Sequence, residues 1–173
     1  GLTRFSHLCM MNTDEDSSNP VLVLGLGNDI LGDDAIGLRV SDELRRRFGP
    51  AYDWQTCNLG GLDILEIIRD YEHVVMIDAI KTGNSQPGTV YYLHPEDFGN
   101  TLHIANFHDI NILNALEIGR KLGMNLPGRI DIIAIEIIED KEFSSELSPA
   151  LSGMFQQICD EIENRLRSFQ VTK

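Results

Sequence analysis

At 173 residues the chain is long enough to bury one hydrophobic core and falls within the range of a single domain. Its 27 acidic and 14 basic residues give a formal charge of −13, which repels nucleic-acid phosphates and anionic membrane surfaces and argues against both as partners. Cys9, Cys57 and Cys159 are far apart and form no C-x-x-C pair, so neither a disulfide framework nor a structural zinc site is expected, and a reducing cytoplasm fits best. No apolar run approaches the roughly 20 residues of a membrane helix, and the N-terminus lacks a signal-peptide pattern.

Residues 1–19 mix Ser, Asn and Asp with few apolar positions and are expected to form a disordered leader, with Gly1 reading as a cloning remnant; residues 20–173 are expected to form one domain. Val21-Leu-Val-Leu24 is a short apolar run stopped by glycine, the pattern of a strand buried on both faces in a parallel sheet. Ile36, Val40 and Leu44 recur at helical spacing before Gly49-Pro50, which predicts a helix from about Asp34 to Phe48. A second strand at Tyr52–Cys57, a short helix at Leu62–Arg69 and a buried strand at His73–Asp78 complete a βαβαβ unit. Gly88–Leu93 is β-branched and aromatic and reads as a further strand. His108–Leu122 reads as a helix with Ile112, Leu113, Leu116 and Ile118 near one face, stopped by Gly123. Ile130–Ile137 is another apolar strand, and Leu147–Phe169 is a terminal helix with Pro149 at or near its first position.

The loop after the first strand, Gly25-Leu-Gly27-Asn28-Asp29-Ile30-Leu31-Gly32-Asp33-Asp34, has glycines that allow close backbone approach to a ligand. It is not a dinucleotide fingerprint, because Ile30 stands where the third glycine belongs. Nor is it a nucleoside-triphosphate loop, because Asp33 and Asp34 replace its Lys and Ser/Thr. The two carboxylates suit either a helix N-terminus, as cap and neighbour, or a cation at the carboxyl edge of a parallel sheet.

Asp78 follows four apolar strand residues and is either a turn cap or a ligand brought to the same sheet edge as Asp34. His108 opens a helix, whose dipole disfavours the imidazolium and keeps the ring able to bind metal. His7, His73, His94 and His103 lack such a setting and are expected to be solvated. Asp34, Asp78 and His108 together offer an O, O, N donor set suited to nickel, zinc or iron without selecting among them. There is no G-x-S-x-G elbow and no H-E-x-x-H helix, which sets aside the serine and zinc peptidase patterns.

Four segments in register, Leu26–Gly37, Ile77–Ile80 (Ile-Asp-Ala-Ile), Pro87–Val90 (Pro-Gly-Thr-Val) and Phe107–Ile110 (Phe-His-Asp-Ile), resemble the hydrogenase maturation proteases from about residue 20 to the C-terminus. The resemblance implies a three-layer α-β-α sandwich with a mostly parallel twisted sheet, of the phosphorylase/hydrolase-like kind. It implies an endopeptidase that removes a C-terminal peptide from the large-subunit precursor of a nickel-iron hydrogenase after nickel insertion. Asp34, Asp78 and His108 fall on the family's metal-contacting positions, with nickel supplied by the precursor; Asp34 and Asp78 are the expected catalytic pair, and Gly27, Asn28 and Asp33 the expected precursor contacts. The chain departs from some members at Thr56-Cys57-Asn58-Leu59, before Gly60-Gly61-Leu62-Asp63, which bears on precursor contacts there. Two other readings stand beside this one: a non-catalytic nickel-sensing chaperone of the same precursor, and a related peptidase acting on a different protein.

Overall fold

The computed structural model describes residues 21–58, 62–98, 112–138 and 143–170. Five strands, β1 (Val21–Leu26), β2 (Asp53–Cys57), β3 (His73–Ile80), β4 (Val90–Leu93) and β5 (Arg129–Glu136), form one sheet in the order β2-β1-β3-β5-β4. All neighbours pair in parallel except β4, which runs antiparallel to β5 at the edge. Among the described residues four α-helices flank the sheet: α1 (Ile36–Phe48), α2 (Asp63–Ile68), α3 (Ile112–Lys121) and α4 (Pro149–Gln170).

The strict two-residue alternation of a strand sorts the apolar runs into two cores. Val23, Val75, Ile77, Ile133 and Ile135 face α1 and α4, meeting Ile36, Val40 and Leu44 from the first and Leu151, Ile158, Ile162 and Leu166 from the second. Leu22, Leu24, Leu26, Val74, Met76, Ile130 and Ile132 face the other way, onto Ile64, Leu65 and Ile68 of α2 and Ala115 and Leu116 of α3. Strands covered on both faces need apolar residues at every position, which is why β1, β3 and β5 read as continuous apolar runs. The expected three-layer α/β architecture is therefore present.

Two expectations of the sequence reading fail for physical reasons, and one holds. In α3 Ile118 is 40% exposed while Ala115 and Leu116 are buried, because the inward stripe repeats every 3.6 residues and position 118 falls off it. Pro149 stands at the first position of α4 as expected, where its missing N–H costs no hydrogen bond. His73 is not solvated: its Nε2 lies 2.6 Å from Asp131 Oδ2 across the β3–β5 pair, and its ring packs edge-on against Phe169.

Asp131 is buried, and its Oδ2 also accepts from Arg129 Nε at 2.8 Å. Burial alone pushes its carboxyl up, but His73 and Arg129 together hold it below the ordinary carboxylate range. A carboxyl depressed in the folded state adds stability above its unfolded value, about 3.9, and that stability is lost as the pH falls through the folded value. Asp131→Asn is therefore expected to lower the free energy of unfolding at pH 7, with the deficit shrinking toward pH 3. Urea titrations of both proteins at the two pH values measure this; a deficit that grows on acidification would contradict it.

Candidate active site

The site is built where β1 and β3 part. The chain leaves β1 through β2 on one side and β3 through β4 and β5 on the other, so the carboxyl ends of β1 and β3 flank the point at which the strand order reverses. In open parallel sheets a crevice forms there.

On the β1 side, Gly27 has φ +153°, and a Cβ on it would stand 2.2 Å from the carbonyl oxygen of Asp34. Only glycine lets the loop fold back this tightly. Asn28 then organises the return: its side-chain Oδ1 accepts from Ile30 N at 3.2 Å, its carbonyl accepts from Leu31 N, and its own N–H donates to Asp34 Oδ2 at 2.9 Å.

The predicted helix from Asp34 begins later than expected, because Gly32–Ala35 forms a separate 3-10 turn and α1 starts at Ile36. The cause lies in the two carboxylates, which turn inward instead of capping. Neither the turn nor α1 has a side-chain cap. Asp33 Oδ1 accepts from Ser148 N at 2.7 Å, fastening the approach to α4 onto this loop. Asp33 Oδ2 is buried without a hydrogen-bond partner among the described residues. Asp33 and Asp34 are 3% and 7% exposed, far more buried than a capping pair requires.

On the β3 side, Asp78 does not end its strand. Pairing of β1 with β3 stops at Gly25 and Ile77, whereas β3 and β5 stay paired through Asp78 and Ala134 to Ile80 and Glu136. Asp78 is thus the first β3 residue beyond β1, held rigidly by β5 at the lip of the gap. It is 1% exposed, and its Oδ1 accepts from Ala79 N at 2.7 Å. Burial first, and then the charge of Asp34, push the Asp78 carboxyl well above the usual range, with the Ala79 N–H opposing them. Two carboxyls close enough to repel cannot both ionise easily, and such a pair is suited to sharing a proton or gripping a cation.

Gly37, in the first turn of α1, clamps the two strands together. A Cβ there would meet Leu26 O at 2.3 Å, Ile77 O at 2.4 Å and Asp78 Cα at 3.0 Å. Backbone contact this close sets the spacing between the Asp34 turn and Asp78.

Sequence reasoning missed several supporting groups. The segment 143–148 lies against the glycine loop through Gly32 N to Ser144 O at 2.8 Å and Ser144 N to Ile30 O at 3.0 Å, and against α1 through Arg39 Nη2 donating to Ser145 O. Glu136, 1% exposed at the end of β5, accepts from Thr82 N and Oγ1 and from Gly83 N, fixing the turn that follows β3. A carboxylate directly after the apolar run Ile132–Ile135 was the available signal for Glu136, the same signal that drew attention to Asp78. Nothing in the sequence marks Ser144 or Ser148 as partners of the distant loop.

His108 lies outside the described residues, so the structure joins only Asp34 and Asp78 of the expected triad. Among the described residues no group of three His, Cys, Asp or Glu side chains is placed to hold a metal ion. His94 is exposed and stands 3.4 Å from Asp131, apart from the carboxylate pair. Gly27, Asn28 and Asp33 all belong to the loop that carries Asp34.

The hydrogenase maturation protease family model matches residues 38–165. The hydrogenase 2 maturation protease of Escherichia coli (strain K12) is 28% identical over 153 residues, covering 85% of this chain and 90% of its own. A hydrogenase expression/formation protein, HupD of Rhodobacter capsulatus, is 26% identical over 164 residues, covering 88% and 75%. Among solved structures, the hydrogenase maturating endopeptidase HybD from E. coli superimposes with a TM-score of 0.68 at 25% identity, covering 86% of this chain and 92% of its own. The family match spans well over half the sequence, and the fold agrees with it: the chain belongs to the hydrogenase maturation proteases and is a processing peptidase.

Proposed function

We infer that this peptidase removes the C-terminal peptide of a nickel-iron hydrogenase large-subunit precursor once nickel has been inserted, and that it acts in the cytoplasm. The observation that carries the reading is the buried Asp34–Asp78 pair at the point where β1 and β3 part, in a chain whose relatives are maturation proteases. No helix among the described residues is long and apolar enough to cross a membrane.

In this reading nickel arrives as part of the substrate. Asp34 and Asp78 supply two hard oxygen donors, His108 a third ligand, and the precursor's own ligands fill the remainder. Nickel held there would order the precursor's C-terminus and serve as the handle by which the loaded precursor is recognised. One carboxylate of the pair takes the proton of the attacking water. Gly27, Asn28 and Asp33 shape the wall against which the precursor chain lies.

The test is to mix the purified protein with nickel-loaded and nickel-free precursor and follow the precursor's mass. Loss of a C-terminal peptide from the nickel-loaded form alone is the expected outcome. Equal cleavage of both forms would remove the metal from the account, and tight binding with unchanged mass would replace the peptidase reading with that of a chaperone.

A further inference from the structure

Among the described residues seven large hydrophobic side chains are exposed, and four of them, Ile30, Leu62, Ile138 and Phe143, gather at one edge of the sheet. Ile30 is in the loop after β1, Leu62 follows β2, and Ile138 follows β5, so all three stand beyond the carboxyl ends of parallel strands. Phe143 joins them through its neighbour, because Ser144 N donates to Ile30 O and Ser144 bridges to Leu31. Phe143 is 82% exposed and Ile30 55%. The other three, Tyr92, Ile118 and Leu122, lie on β4 and on or just after α3, away from this edge.

Isolated apolar side chains on a surface carry no meaning, but four from separate loops along the one sheet edge that also carries a buried acidic pair do. These four side chains form an apolar rim along the carboxyl edge of the sheet at which Asp34 and Asp78 also stand. The rim's charged neighbours also constrain the occupant. Asp29 beside Ile30, Asp63 beside Leu62 and Glu146 near Phe143 are exposed, and the whole chain carries −13, so an acidic segment is repelled.

We propose that Ile30, Leu62, Ile138 and Phe143 form a docking surface for an apolar, non-acidic stretch of the hydrogenase precursor's polypeptide, seated across the sheet edge beside Asp34 and Asp78. This rests on the peptidase reading above and names the chemistry by which its substrate is held. Ile30 and Phe143 form the anchoring pair, since they are the most exposed of the four and are tied to each other through the backbone.

The experiment compares wild type with the double variant Ile30→Ser/Phe143→Ser and with Leu122→Ser, using initial rates of nickel-loaded precursor cleavage read by mass and thermal melts to check folding. The double variant is expected to lose about 10-fold or more in kcat/KM, with the loss carried by KM. Leu122→Ser, equally apolar and 72% exposed but beyond the end of α3, should match wild type. If wild type cleaves and the double variant keeps its KM, or if Leu122→Ser raises KM as much, the docking surface is overturned while the peptidase reading stands. If wild type leaves the precursor intact, the peptidase reading fails and the docking proposal fails with it.

Discussion

Asp78→Asn is expected to abolish precursor cleavage while leaving the domain as stable as wild type. A positioned carboxyl that moves a proton in the transition state contributes about 10²–10⁴-fold to rate, so the variant's residual activity should fall at least that far. On the proposed reading nickel would also be held more weakly, because asparagine offers a neutral oxygen in place of a carboxylate. Stability should not follow activity. Asparagine has nearly the same shape, and its Oδ1 can still accept from Ala79 N, the 2.7 Å bond made by Asp78. The native carboxyl already sits where burial and Asp34 oppose its charge, so replacing it with an uncharged group removes a repulsion. Precursor mass and a thermal melt, taken on the same preparation, check both halves. Normal processing by the variant would remove Asp78 from the chemistry. Lost processing together with a collapsed melting temperature would show a structural role instead.

Gly37→Ala should do the opposite, striking stability and activity together. Its Cβ would be pressed to within 2.3 Å of Leu26 O and 2.4 Å of Ile77 O, both backbone atoms of the central strands. Neither can swing aside as a side chain would, so α1 must lift or β1 and β3 must separate. Overpacking of this kind costs about 1–3 kcal/mol, occasionally more. Alanine's better helix propensity returns about 1 kcal/mol at most, so the net sign stays unfavourable. Because the displaced atoms border Asp78 and the loop of Asp34, cleavage should fall with the melting temperature. Gly153→Ala in α4 is the control. A Cβ there meets nothing within 4 Å, so the same change should stabilise by about 0.5–1 kcal/mol. Equal melting temperatures for the two variants would show that α1 accommodates the methyl and that the close contact does not set the strand spacing.

Much of this protein is legible without coordinates. Continuous apolar runs at Val21, Val74 and Ile130 announced strands covered on both faces, because a parallel sheet buried between helix layers leaves no polar side for alternation to mark. The position of Asp34 after the first strand and of Asp78 near the end of the third placed both at one sheet edge, since parallel strands share their carboxyl ends. The layers, the family and the acidic pair could thus be read from the order of the residues and the motifs they make. The tertiary structure decided what each group touches. That Asp33 fastens Ser148, 115 positions away, that Glu136 holds the turn at Thr82, and that His73 sits against Asp131 are long-range pairings, and local periodicity carries no information about them. The start of α1 moved to Ile36 for the same reason: inward bonds from the loop outweighed the local tendency of two aspartates to cap a helix. Asp78 stays within its strand because β5 continues to pair with it after β1 has turned away, and where one strand outlasts its neighbour is settled only by their mutual register.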